Sequence, residues 1–140
     1  MTTVIVPMGG DIIHPGHINI IKAARNLGRV TVLLASDEVL ARHKHMPIMN
    51  YEQRKLIVEN IKGIVRVVPL TTLDLVSSLR RLKPDYLVHG DDWQTGVLQE
   101  IRQRALEVLK EWDGELVEVP YTQGISSTKL RTVLKRVDGR

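Results

Sequence analysis

The sequence predicts an α/β protein, a single Rossmann-like, doubly wound domain built on a five-stranded parallel sheet. Three observations lead there. Short β-rich runs alternate with amphipathic helical stretches from one end of the chain to the other. Most of those runs are apolar throughout, the pattern of strands buried on both faces rather than on one. A chain of 140 residues with 43% apolar composition supplies one domain with a real core, and no linker, repeat or low-complexity segment divides residues 1–140.

The first strand is TVIV, Thr3 to Val6. Ile18, Ile21, Ala24 and Leu27 then recur at helical spacing, and Gly28 stops the helix. VTVLLA, Val30 to Ala35, is the second strand. Asn50 with Gln53 resembles a capping box that opens a helix through Ile57 and Ile61 to Gly63. IVRVV, Ile64 to Val68, follows as the third strand, and Thr71 with Asp74 opens the next helix, which runs through Val76, Leu79 and Leu82 until Pro84 halts it. DYLV, Asp85 to Val88, is the fourth strand. Val97, Ile101, Ala105, Val108 and Trp112 line one face of a longer helix ending at Asp113 and Gly114. ELVEV, Glu115 to Val119, makes the fifth strand, and a last helix starts near Ser127 with Leu130, Val133, Leu134 and Val137 as its apolar stripe. Strand and helix alternating in this way imply parallel pairing with right-handed crossovers.

Composition narrows the function. No apolar run approaches the roughly 20 residues that span a bilayer, and the start MTTVIVPMGGD lacks the basic n-region and cleavage site of a signal peptide, so no membrane is expected. With no cysteine there is neither a disulfide scaffold nor thiolate chemistry, which suits a cytoplasmic protein. A formal charge of +4 suits an anionic partner, while 4% aromatic residues and no phenylalanine leave little on which to stack the bases of a nucleic acid.

In an open parallel sheet the ligand lies outside the carboxyl ends of the strands where the strand order reverses. The loops after the first, fourth and fifth strands hold the unusual residues. The first reads PMGGDIIHPGH: Gly9 and Gly10 permit close backbone approach, Pro15 pre-sets a turn, Gly16 removes a side chain, and His17 falls in the first helical turn. A helix start with unpaired N–H groups and two imidazoles three residues apart is an anion site. Zinc is the rival, but there is no cysteine, no obvious third ligand and no H-E-x-x-H pattern, so no protein-bound metal site is assigned. Neither a G-x-x-x-x-G-K-[ST] loop nor a G-x-G-x-x-G turn is present. Near the far end, YTQGISSTKLR sets Gly124, Ser126, Ser127, Thr128, Lys129 and Arg131 around another helix start, which is either an ordinary N-cap or a second anion site. The fourth loop, HGDDW, carries Asp91 and Asp92, whose carboxylates can bind magnesium, move a proton or accept hydrogen bonds; spacing does not decide among these. Trp93 reads equally as a packing residue and as a stacking one.

DIIHPGH resembles the HxGH signature of the nucleotidyltransferase superfamily, ISSTKLR resembles its second signature, and HGDDW is similar to the corresponding loop of the cytidylyltransferase branch. The order and spacing agree over nearly the whole chain. MNYEQRKLIVENIKG and VHGDDWQTG resemble glycerol-3-phosphate cytidylyltransferases and the cytidylyltransferases of phosphonate biosynthesis, and GELVEVPYTQGISST looks closer to the latter. Tyr121 stands where the glycerol-phosphate enzymes begin the second signature with arginine, and Gly9 and Gly10 stand where they place a Thr-Phe pair.

The resemblance implies that His14, His17, Lys44 and Arg131 act on the phosphates, and that Met8, Gly9, Gly10, Asp11 and Gly16 line the nucleotide cleft. It also implies that Asp91, Asp92 and Trp93 hold the nucleoside, while Tyr121, Thr122, Gly124, Ile125, Ser126, Ser127 and Thr128 complete the nucleotide site around the leaving pyrophosphate. Lys44 in ARHKHMP is by itself a solvated loop lysine. On this reading CTP is the donor, Mg²⁺ arrives largely on its phosphates, the acceptor is a small phosphonate such as 2-hydroxyethylphosphonate, 2-aminoethylphosphonate or phosphonoformate, and the protein is a homodimer. Glycerol 3-phosphate as acceptor, an adenylyltransferase of coenzyme or FAD synthesis, and a non-enzymatic nucleotide or RNA binder are the alternatives. A phosphate monoester is largely ionised near neutral pH, its second pKa being about 6. It therefore attacks without a general base, and positioning with charge neutralisation is the whole task.

Overall fold

The computed structural model describes residues 1–120 and 122–137, the side chains of residues 127 and 137 excepted. Five strands, β1 (Thr3–Met8), β2 (Arg29–Ala35), β3 (Ile64–Leu70), β4 (Tyr86–Gly90) and β5 (Glu115–Val119), form one parallel sheet in the order β3-β2-β1-β4-β5. Six helices connect or follow them: α1 (Pro15–Leu27), α2 (Asp37–His43), α3 (Tyr51–Glu59), α4 (Val76–Leu82), α5 (Gln99–Leu109) and α6 (Ser127–Val137).

Side chains alternate across the sheet and build two cores. Val4 and Val6 of β1 with Val30, Val32 and Leu34 of β2 face one layer, where Ala24 of α1 and Val58 of α3 cover them. Ile5, Leu33 and Leu87 face the other, against Leu79 of α4 and Ala105, Val108 and Leu109 of α5. Both layers are sealed, since Val4, Leu33, Leu34 and Leu87 are wholly buried. Each such side chain stabilises the fold by about 1.5–3 kcal/mol. Covering on both faces is why the central strands read as continuous apolar runs.

Beyond Ile5 and Leu87, the last pair in the β1–β4 register, the two strands part, while β1 continues along β2 as far as Met8 and Leu34. That parting falls where the strand order reverses and opens a crevice at the carboxyl end of the sheet.

Five local expectations change, one of them Val97, which stands 93% exposed on the short turn before α5 and not on the apolar face of that helix. The segment after β2 is not all loop, because the Ser36 hydroxyl accepts from Val39 N and starts α2. The Asn50–Gln53 capping box forms, but α3 ends at Glu59 and turns Arg54 and Val58 inward, leaving Ile57 41% exposed. Asp74 rather than Thr71 receives Val76 N at the start of α4. The stripe of α6 stays largely uncovered, with Val133 and Leu134 each 52% exposed. Among the described residues no helix is long and apolar enough to cross a membrane.

Candidate active site

The first loop builds its site from backbone bonds to imidazole. His14 caps α1: its Nδ1 accepts from Gly16 N at 3.0 Å, and His17 Nδ1 accepts from His14 N at 3.2 Å. An imidazole that accepts at Nδ1 carries its proton on Nε2 when neutral. The two caps therefore leave a matched pair of Nε2–H donors, on rings whose centroids are 4.1 Å apart. Burial lowers the pKa of His14, and burial, with the charges of His14 and Lys44 adding to it, lowers that of His17 to about 4. Both rings are thus neutral hydrogen-bond donors near pH 7, not cations.

Gly16 is required by close approach. A Cβ there would stand 2.7 Å from His14 Cε1 and 2.9 Å from its Nδ1. Gly16→Ala is expected to push the His14 ring aside and lower turnover about 10²-fold, while thermal melting stays within a few degrees of wild type. Steady-state kinetics and a melting curve on one preparation check it.

The α1 start, the loop after β4 and the start of α6 meet in a cleft of about 220 Å³. His14, Gly16, His17, Lys44, Asp92, Thr122, Ile125, Ser126 and Thr128 line it, together with Ile20, Gly90, Val119 and Pro120. At the start of α6, Ser126 Oγ accepts from Lys129 N at 3.0 Å, so this hydroxyl is an N-cap and also a wall of the cleft. Asn19 Nδ2 donates to Thr122 Oγ1 at 3.0 Å and ties α1 to the loop before α6. The two helix starts singled out in the sequence thus share one cavity.

Other expected residues stand behind the cleft. Asp11 is 5% exposed and accepts from Ile48 N and Met49 N, at 2.9 and 3.1 Å, and from Arg131 Nη2. The two side chains pair with each other and tie α6 to the β1 loop, and neither is among the residues that line the cavity. Trp93 is not among the lining residues either. It is 1% exposed, stacks on His89 at 3.7 Å and donates from Nε1 to Glu118 at 2.9 Å, so its ring is closed to a nucleobase. Arg102 holds Glu118 in turn and keeps its carboxyl below the usual range. Met8 packs in the core, and Gly9, Gly10, Asp91 and Gly124 are not among the lining residues. Gly10 adopts φ 69°, with the place of a Cβ only 2.8 Å from Leu34 Cδ1. Tyr121 and the Ser127 side chain lie outside the described residues.

Sequence reasoning missed Arg54, the wholly buried charge beneath the site. From α3 its Nη1 donates to Gly9 O at 2.7 Å and Ala35 O at 2.6 Å, its Nε to Met49 O at 3.0 Å, and its Nη2 to Asp37 Oδ1 at 2.6 Å. One guanidinium thus fixes the ends of β1 and β2 and the approach to α3. An arginine four residues after a polar cap reads as solvated surface, and only the carbonyls gathered at the sheet edge reveal its task.

A second, larger groove of about 530 Å³ runs between β3 and α4, lined by Arg66, Thr71, Ser78 and Arg81 among others. It contains no histidine or carboxylate and none of the residues that the motifs single out. Among the described residues no three histidine, aspartate or glutamate side chains cluster as a metal site.

Residues 11–133 match the family model described as cytidylyltransferase-like. The FAD synthase of Aciduliprofundum boonei is 35% identical over 102 residues, covering 70% of this chain and 68% of that protein. The FAD synthase of Korarchaeum cryptofilum is 34% identical over 134 residues, covering 89% of this chain and 86% of that protein. Among solved structures, the lipopolysaccharide core biosynthesis protein from Thermoplasma volcanium superimposes with a TM-score of 0.71 at 21% identity, over 87% of this chain and 97% of that one; this is a likeness of fold alone.

Proposed function

Since the chain belongs to the cytidylyltransferase-like family, we propose that it is an FMN adenylyltransferase, which transfers AMP from ATP to the phosphate of FMN and releases pyrophosphate. Residues 1–140 act in this as one nucleotidyltransferase domain. The expected phosphonate cytidylyltransferase is overturned by the relatives, which are FAD synthases at 34 and 35% identity. The reason is physical. HPGH and ISSTK describe how a triphosphate is held at two helix starts, which enzymes of different bases and acceptors share.

What supports the reaction class is one observation: His14, His17, Ser126 and Thr128 line a single cleft. A triphosphate laid across it meets the N-terminal dipole of α6 at its leaving end and the two Nε2–H donors at its α-phosphate. The FMN phosphate, ionised at neutral pH, attacks the α-phosphorus in line, and the bond to the β-phosphate oxygen breaks. Neutral imidazoles stabilise the charge that grows on the α-phosphoryl oxygens as fixed donors, with no proton to move and no covalent enzyme intermediate. Lys44 supplies a cation at the same cleft. Among the described residues the only carboxylate lining the cleft is Asp92, 59% exposed, which fits a Mg²⁺ carried by phosphate oxygens and water rather than by a protein cage. When bound, that ion neutralises phosphate charge.

Incubation with each of the four NTPs, with and without FMN, tests the proposal. FAD and an equal amount of pyrophosphate are expected only from ATP with FMN. FMN consumed with CTP alone, or no flavin dinucleotide from any donor, would refute it.

A further inference from the structure

The cleft accounts for the phosphates but leaves the acceptor's ring unplaced. Downstream of Lys44 the chain is pinned by its backbone: Met46 O accepts from Arg131 Nη2 at 3.5 Å, and Ile48 N donates to Asp11. With its polar groups bound inward, the segment leaves Met46 71% and Ile48 59% exposed. Arg131 belongs to α6, where Leu134 lies one turn along on the same face and Val133 beside it, each 52% exposed. Met46 and Ile48 thus stand at one end of this tie, and the helix that carries Val133 and Leu134 supplies its other end. Exposed apolar side chains gathered beside a polar cleft mark a binding surface.

Resting on the FMN reading above, the geometry points to this patch, with Met46 and Ile48 at its centre, as the seat of the acceptor's isoalloxazine ring. Along the chain Met46 and Ile48 lie at most about 7 and 14 Å from Lys44, a span that a five-carbon ribityl arm bridges when its phosphate is in the cleft. The chain has no phenylalanine and Trp93 is buried, while Met46 and Ile48 offer a flat apolar ring exposed aliphatic and thioether groups. Methionine adapts well to such a surface. Charge favours this occupant over a second copy of the chain. Neither residues 44–50 nor α6 contains a carboxylate, whereas Lys44, Lys129, Lys135 and Arg136 belong to the same two segments. Such a charge balance attracts a phosphorylated ligand and repels an identical basic surface.

The test compares wild type, the double variant Met46→Ser/Ile48→Ser and the control Val97→Ser, a 93% exposed position on the short turn Gly96–Leu98. Formation of FAD by wild type settles the FMN reading by itself. Given that, the double variant is expected to raise KM for FMN about ten- to a hundredfold, with kcat, KM for ATP and the melting temperature close to wild type. Equilibrium dialysis of FMN against the protein saturated with α,β-methylene-ATP should show the same loss of affinity. Val97→Ser should leave every value unchanged. An FMN KM within twofold of wild type in the double variant overturns the assignment. So does a change of oligomeric state with unaltered FMN affinity, which gives the patch to a second copy.

Discussion

His17→Asn folds like the wild type and loses turnover by at least about 10²–10³-fold, the toll of removing one preorganised donor from a charge-stabilising site. The His17 ring has two functions on its two nitrogens. Nδ1 accepts from His14 N and completes the cap of α1, while Nε2–H is free to meet a phosphoryl oxygen. Asparagine places an amide oxygen near the position of Nδ1 and has nothing near Nε2, so it keeps the cap and deletes the donor. His17→Ala loses both, and the melting temperatures of the two variants separate capping from chemistry. Retention of half the turnover by His17→Asn would remove the imidazole from the mechanism.

The same ring makes stability depend on pH. His17 has its pKa depressed in the folded protein, from 6.5 to about 4. Above pH 6.5 neither the folded nor the unfolded ring holds the proton and nothing is lost. As the pH falls from 6.5 towards 4, the unfolded chain binds a proton that the folded one refuses, and stability drains away. His17→Asn is expected to flatten that part of the profile, read as melting temperature against pH.

The other large effect belongs to Arg54. Arg54→Met is expected to destabilise the fold by ~3 kcal/mol or more, because it strips the donor from the Gly9, Ala35 and Met49 carbonyls at once. Asp37, 43% exposed, can turn to water, so the loss is chiefly that of the carbonyls. Arg54→Lys recovers only part of it, since an ammonium cannot spread its donors in the planar fork that reaches all four partners. In both variants the β1 loop that leads to His14 is loosened, and KM for the nucleotide should rise along with the fall in stability. Denaturant melts and kinetics on the same samples check this. A midpoint for Arg54→Met equal to that of wild type would show that the guanidinium does not hold the sheet edge together.

Much of this protein is legible in its sequence, and the limits have physical causes. Strands covered on both faces announce themselves as apolar runs such as VTVLLA, and the Asn50–Gln53 box marks a true helix start because a cap is a local interaction. The two helix starts, each with its glycine and polar side chains, pointed to one sheet edge because topology brings the ends of β1 and β5 there. What depends on distant partners was hidden. Nothing near Arg54 in sequence reveals the distant carbonyls of Gly9 and Ala35, and nothing near Trp93 reveals that Glu118 accepts from its Nε1. Asp11 and Arg131, 120 residues apart, look like two ligand contacts until the fold pairs them. Base and acceptor are harder still, because a few side chains around a shared phosphate cradle decide them.

A structure with α,β-methylene-ATP bound measures the central claim directly. The β- and γ-phosphates should lie at the first turn of α6 beside Ser126 and Thr128, with the α-phosphate within hydrogen-bonding distance of Nε2 on His14 and His17. A triphosphate bound elsewhere, in the groove beside Arg66 and Arg81 or with its α-phosphate away from both imidazoles, would contradict the account.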